Sequence, residues 1–167
     1  MLKLSIDNIN SHSPYRIQLS GDGLFYFVTD EAQTYEVGFV EDYMITLENA
    51  YQLFLIPKSG QNEFKDSKIQ QTITAIIEEF FKTNDVLLDY ICDTKDGRQA
   101  ARSRLFTQWF NQYPKRNLYT LRTISVELDD ISYYASIIIR NNHPNYDECI
   151  AAIDAFEKEI KEKLSDV

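Results

Sequence analysis

The stretch YICDTKDGRQAARSRLFTQWF, residues 90–110, reads as the end of a buried strand, a tight acidic turn and a helix carrying both arginines and aromatics. Asp96 precedes Gly97 and stands three residues before Gln99, which predicts Asp96 as the N-cap of a helix that Pro114 stops. Ala101, Leu105, Phe106, Trp109, Phe110 and Tyr113 are expected to form its buried side. Arg98 and Arg102 lie one turn apart on a line that continues through Phe106 and Trp109, so their side chains lean back toward the Asp93 to Asp96 turn. Arg104 points away, toward solvent.

Asp93, Asp96, Arg98 and Arg102 are therefore the candidate site, and three chemistries compete for them. A structural ion-pair network would cap the helix and pin the turn, since buried charges are usually paired. An anion site would use the free N–H groups and positive dipole end of a helix N-terminus, with two arginines, to hold a phosphate or carboxylate. A truncated calcium loop over Asp93-Thr-Lys-Asp96-Gly97 is disfavoured, because Lys95 occupies a ligand position and no Glu closes the loop. No metal and no cofactor is expected.

Upstream, the first half of the chain carries strand signals. Leu2, Leu4 and Ile6 alternate, as do Tyr15, Ile17 and Leu19, and Gly21-Asp22-Gly23 supplies a turn. Residues 24–29 are apolar and aromatic, and Tyr35, Val37 and Phe39 alternate with Glu36, Gly38 and Val40. A further strand over 51–56 ends at Pro57, while 41–49 is open between strand, short helix and loop. Ser67 and Gln70 predict a capping box preceded by Asp66, and Ile69, Ile73, Ile76, Ile77, Phe80 and Phe81 form one helical stripe. Residues 86–92 are apolar except for Asp89, as in a strand covered on both faces or lying centrally in the sheet.

Downstream, residues 118–128 and 131–140 read as a hairpin about Asp129-Asp130. A last helix follows Pro144, with Asn145 and Glu148 as a capping pair. Its stripe is Tyr146, Ile150, Ile153, Phe156, Ile160 and Leu164, and its ion pairs are expected between Asp154 and Lys158, Glu157 and Lys161, and Glu159 and Lys163. The order predicts an α+β fold: a mostly antiparallel sheet of about six or seven strands with three helices packed on one face. At 167 residues, one globular domain over 1–167 is the expectation.

Charge narrows the function. The chain carries −9 overall, which argues against general nucleic-acid or anionic-lipid binding. Between Lys95 and Arg116, however, six basic residues face one acid, so that segment is +5 and the remainder −14. No apolar run is long enough for a membrane span, and the first residues are too polar for a signal peptide, so the cytoplasm is the expected compartment. Cys92 and Cys149 read as free buried thiols. His12 and His143 sit in polar turns with no nucleophile at a recognisable spacing, and no Walker, dinucleotide, GxSxG, HExxH or paired CxxC motif is present.

Phe25-x-Phe27-x-Thr29, Tyr35-x-Val37-x-Phe39, the helix from Ile73 to Phe81 and the motif CDxxDGRxxxRxRLFxxWF from Cys92 to Phe110 together resemble a family of uncharacterised bacterial proteins of about this length. The resemblance implies a bacterial, single-domain, cytosolic protein and brings no catalytic residue with it. It also implies an association with toxin–antitoxin-like or defence operons. Two function classes follow. One is a protein-interaction or regulatory module that binds a protein partner or a second copy of itself. The other is an enzyme or sensor that takes a phosphorylated ligand, a nucleotide or RNA end, at Arg98 and Arg102. The absence of a base or nucleophile beside those arginines counts against the enzyme.

Overall fold

The computed structural model describes residues 2–43, 49–58 and 66–165. Residues 44–48 of the open segment 41–49, and residues 59–65 of the polar stretch, lie outside them. Seven strands form one sheet: β1 Gln18–Leu19, β2 Phe25–Val28, β3 Thr34–Glu41, β4 Ala50–Pro57, β5 Leu87–Ile91, β6 Tyr119–Leu128 and β7 Ile131–Arg140. Their spatial order is β1-β2-β3-β4-β5-β7-β6. The pairs β1–β2, β2–β3, β5–β7 and β6–β7 are antiparallel. By contrast β4 and β5 run parallel, which requires a crossover, and the chain between them carries a helix.

Four helices are present among the described residues, not three: α1 Ile6–His12, α2 Ser67–Thr83, α3 Gln99–Gln112 and α4 Tyr146–Ser165. The additional one overturns the strand expected from Leu2, Leu4 and Ile6. Ser5 caps α1 by accepting the Asn8 N–H, Asp7 sits in its first turn, and a period-2 pattern of three residues is too short to outweigh that start signal. On α2 the cap lies one residue earlier than expected. Asp66, not Ser67, accepts the Lys68 N–H at 2.8 Å.

By its contacts the chain divides into two compact units, Met1–Phe39 with Phe54–Asn84 and Val40–Leu53 with Asp85–Val167. In the first, Tyr15, Phe27 and Tyr35 stack at 5.8 and 5.3 Å between centroids, and Phe39 stacks on Phe80 of α2 at 4.4 Å. Ile69, Ile73, Ile76, Phe80 and Phe81 are buried as their spacing predicts, and Ile77 is half-buried. The Glu79 carboxylate is buried too, and accepts the Ser5 N–H at 3.2 Å at the start of α1.

The second unit has helices on both faces of its strands. Tyr90 of β5 lies 4.0 Å from Phe106 of α3, whereas Ile137, the β7 partner of Asp89, belongs to a core with Leu87, Ile139, Cys149 and Ile153. Neighbouring residues on a strand point to opposite faces, so α3 and α4 cover opposite sides there. This corrects the single helical face for that unit. The hairpin turns at Asp129 and Asp130 with φ of 51° and 62°, the left-handed pair of a two-residue turn.

Candidate functional site

Cys92, buried, follows directly on β5, and the next five residues make the turn that leads into α3. The Gly97 N–H donates to the Thr94 carbonyl at 3.1 Å, and Gly97 takes φ +70°, which a side chain would oppose. Each aspartate of the turn closes a small ring of its own. The Asp93 carboxylate accepts the Lys95 N–H at 3.0 Å, and the Asp96 carboxylate accepts the Arg98 N–H at 3.1 Å.

Arg102 reaches into this turn from the first turn of α3. One Nη donates to the Asp93 carbonyl and to Asp96 Oδ1, both at 2.8 Å, while the other Nη meets Asp96 Oδ2. The pair is bidentate, and Arg102 is only 8% exposed. Asp96 lifts the Arg102 pKa further, by hydrogen bond and by charge. The helix begins later than expected, with Arg98 as N-cap and no side-chain cap bond. Asp96 does not cap the helix because its carboxylate is already held by the Arg102 fork and the Arg98 N–H.

Of the four candidate residues, the structure thus brings Arg102, Asp96 and the Asp93 backbone together. Arg98 stays exposed, and no ion pair reaches its guanidinium among the described residues. Arg104 is exposed as expected. The buried side of α3 differs from expectation: Arg102 and Ser103 are its buried residues, Ala101 is exposed, and Leu105, Phe106, Trp109 and Phe110 are half-buried. Folding Arg102 under the turn points the line Arg102, Phe106, Trp109 inward and swings Ala101 away. Phe106 and Trp109 remain in contact at 4.9 Å between centroids, and Tyr113 lies 6.1 Å from Tyr119. On the polar flank of α3 an open recess of about 350 Å³ is lined by Ser103, Arg104, Thr107, Gln108, Asn111 and Gln112.

Other chemistry-bearing groups are fewer. His143 Nδ1 lies 3.9 Å from Cys149 Sγ, but it also accepts the Asn145 N–H at 3.1 Å, and burial pushes the Cys149 thiol up. That thiol is packed in the core rather than activated. Cys92 is likewise buried and free, its thiol pushed up to about 11 by desolvation. Among the described residues no group of three or more His, Cys, Asp or Glu is placed to hold a metal ion. No helix among them is long and apolar enough to cross a membrane.

One pair escaped the sequence reading. Asp89, the lone charge in its apolar run, is 3% exposed on the central strand, and its carboxyl lies in hydrogen-bonding reach of Asp42. The signal was legible as an acid inside an apolar strand, but its partner, 47 positions earlier, was not.

In a comparison with protein families, residues 65–158 match a group described as a family of unknown function, DUF6169. The match spans the arginine motif, α2, β5 and the hairpin. No curated protein matches the chain.

Proposed function

This chain belongs to the family of unknown function DUF6169, and we propose that it works as a protein-interaction or regulatory module. Its contact surface is the aromatic side of α3, and its occupant is an acidic protein surface. The observation that carries this reading is the incomplete burial of that side: Leu105, Phe106, Trp109, Phe110 and Tyr113 all keep partial exposure. Exposed Arg98 at the start of this helix and exposed Lys115 and Arg116 just past its end flank it in a chain of net charge −9. Cations at both ends of a helix that carries aromatic anchors suit an acidic partner, with charge steering the encounter and the rings supplying the contact. The resemblance of the sequence to uncharacterised bacterial proteins supports a cytosolic setting in a toxin–antitoxin-like or defence operon.

Trp109 is the sole tryptophan, so its fluorescence reports directly on this surface. Adding poly-glutamate as an acidic surrogate is expected to shift Trp109 emission at low salt, and raised salt should reverse the shift. Charge reversal at Arg98 and Lys115 should abolish it. An emission unchanged by the polyanion, in a protein whose mass in solution is also independent of concentration, would remove the support for this surface.

A second reading places a phosphorylated ligand, a nucleotide or RNA end, at the mouth of α3. Arg98 favours it, being exposed without an ion pair among the described residues and standing at an N-terminus that has no side-chain cap. Arg98 would then be the ligand-facing cation, with Arg102, Asp93 and Asp96 holding the turn in shape. Stabilisation of the parent by phosphate or a nucleotide, lost in Arg98→Gln, would support it. An unresponsive parent would sink it.

A further inference from the structure

Strand β6 forms one outer edge of the sheet over ten residues, Tyr119–Leu128, whereas β1 at the opposite edge has two. Its ladder to β7 runs in one unbroken register from Tyr119 to Leu128, so no bulge bends it. The strand holds no proline and no lysine, residues that commonly guard an edge. Its one cation, Arg122, is turned onto α4, where Asp154 and Glu157 hold it.

Which main-chain groups face outward follows from the hairpin turn. A two-residue turn makes Leu128 and Ile131 a hydrogen-bonded pair, and at the far end the Asn141 N–H donates to the Leu118 carbonyl at 2.9 Å in the same phase. The even-numbered residues of β6 are therefore bonded to β7, and the odd-numbered ones turn their N–H and C=O groups away from it. Among the described residues no hydrogen bond reaches the outward main-chain groups of Leu121, Thr123, Ser125 or Glu127. Such a row is a template for another strand.

The edge is complementary to itself. An antiparallel copy centred on Thr123 sets Leu121 opposite Ser125, Thr123 opposite Thr123 and Ser125 opposite Leu121. These three central pairs exchange about six main-chain hydrogen bonds, and specific interfaces carry roughly five to fifteen. The same register sets exposed Leu118 opposite exposed Leu128 at both ends. No like charges are directly opposed, since Arg122 falls opposite Ile124 and Glu127 opposite Tyr119. A two-fold axis normal to the sheet keeps the α4 side of one copy on the α4 side of the other, as the pairing of odd with odd residues requires.

We infer that β6 is an interface between two copies of this chain, paired antiparallel with itself about a two-fold axis at Thr123 into one continuous sheet. The pairing uses up both β6 edges, and the two-residue β1 edge gives a third copy too little strand to add to, so assembly closes at two. This contact is separate from the surface proposed for an acidic partner and does not rest on it.

Sedimentation equilibrium from dilute to near-millimolar protein tests the pairing. The mass of the parent should rise to that of two chains and no further. Thr123→Pro removes an outward N–H without touching the β7 ladder, as an edge strand permits, and should stay monomeric throughout. If that variant fails to fold by circular dichroism, Thr123→Lys decides, because two ammonium groups at the axis should weaken the dimer about fivefold or more. Thr123→Cys fixes the register. Its two copies would lie about 5.5 Å apart between Cα atoms and should oxidise to a cross-linked dimer, which the parent, with Cys92 and Cys149 buried, should not. A parent that stays monomeric overturns the pairing and leaves the edge to a strand of another protein. A mass beyond two chains, a dimer that survives Thr123→Pro, or one that Thr123→Cys does not cross-link overturns it as well.

Discussion

Arg102 clasps Asp96 with both Nη groups across the turn that opens α3, and the same guanidinium also binds the Asp93 carbonyl. Removing that fork leaves a half-buried carboxylate and a carbonyl without their donors. Arg102→Ala should cost about 2–3 kcal/mol, below the range for fully buried pairs because Asp96 is 35% exposed. Arg98→Gln, four residues earlier and solvated, should change stability by no more than about 0.5 kcal/mol. Urea unfolding of the two variants side by side checks the contrast, and equal losses would contradict this geometry.

Gly97 is needed for its backbone. At φ +70° a side chain would meet its own carbonyl environment, although no neighbouring atom lies within 4 Å of the place a Cβ would take. Gly97→Ala should therefore destabilise by about 1–2 kcal/mol through backbone strain alone. Gly21→Ala, in an equally open turn but without positive φ, should be close to neutral. Thermal melts of the two variants separate strain from packing.

How far the sequence discloses this structure depends on which signal each element carries. The α2 stripe, the Asp129-Asp130 hairpin and the central position of β5 rest on long periodic runs or on turn chemistry, and the structure has all three. Helix α1 went unseen because its apolar residues, Ile6 and Ile9, are too few to show a period, and its start is set by Ser5. On α4 the lysine pairs of Glu157 and Glu159 form as spacing predicts, at 2.6 Å each. Asp154 instead turns to Arg122 on β6, a tertiary choice that i,i+4 spacing cannot register. The candidate turn showed its residues in sequence but not their division of labour. Whether Asp96 caps a helix or grips an arginine is settled by where Arg102 folds, and that depends on the packing of α3 against β5 and β7. The Asp42–Asp89 pair lies furthest from local reading, since only the sheet brings the two carboxyls together.

Trp109 sits on Phe106 yet keeps partial exposure. Truncation to Ala should therefore cost about 1–2 kcal/mol, less than the roughly 3–5 kcal/mol of a fully buried aromatic. Urea unfolding followed by circular dichroism provides the figure. A loss at the fully buried level would mean that the aromatic side of α3 is core, and the interaction surface would go with it.

Cys92 and Cys149 are each 3% exposed, and burial raises both thiols, Cys92 to about 11. At neutral pH neither should react with a thiol reagent faster than the protein opens. Labelling should become rapid in denaturant and should track the unfolded fraction. Fast labelling of Cys92 under native conditions would show that the strand end beside the Asp93 to Gly97 turn is open to solvent.

Tyr15 ties together β2, the β2–β3 turn and the start of α2 within the first unit. Its ring stacks on Phe27, its hydroxyl donates to the Asp66 carboxylate that caps α2, and it accepts the Asp30 N–H at 3.3 Å. Burial, with the Asp66 hydrogen bond second, raises its ionisation from the ordinary value of 10.0 to about 12. The folded value lies above the unfolded one, so the hydroxyl stabilises fully below about pH 10 and loses that contribution as the pH rises through about 12. Tyr15→Phe keeps the stack and loses the hydroxyl. It should cost about 1 kcal/mol at neutral pH, and the cost should shrink above pH 10 as the parent ionises. Alkaline titration of tyrosinate absorbance, set beside melts of both proteins, checks the prediction. If the parent and Tyr15→Phe differ by the same amount at neutral and strongly alkaline pH, the hydroxyl is not the group that joins Asp66 to the β2 and β3 stack.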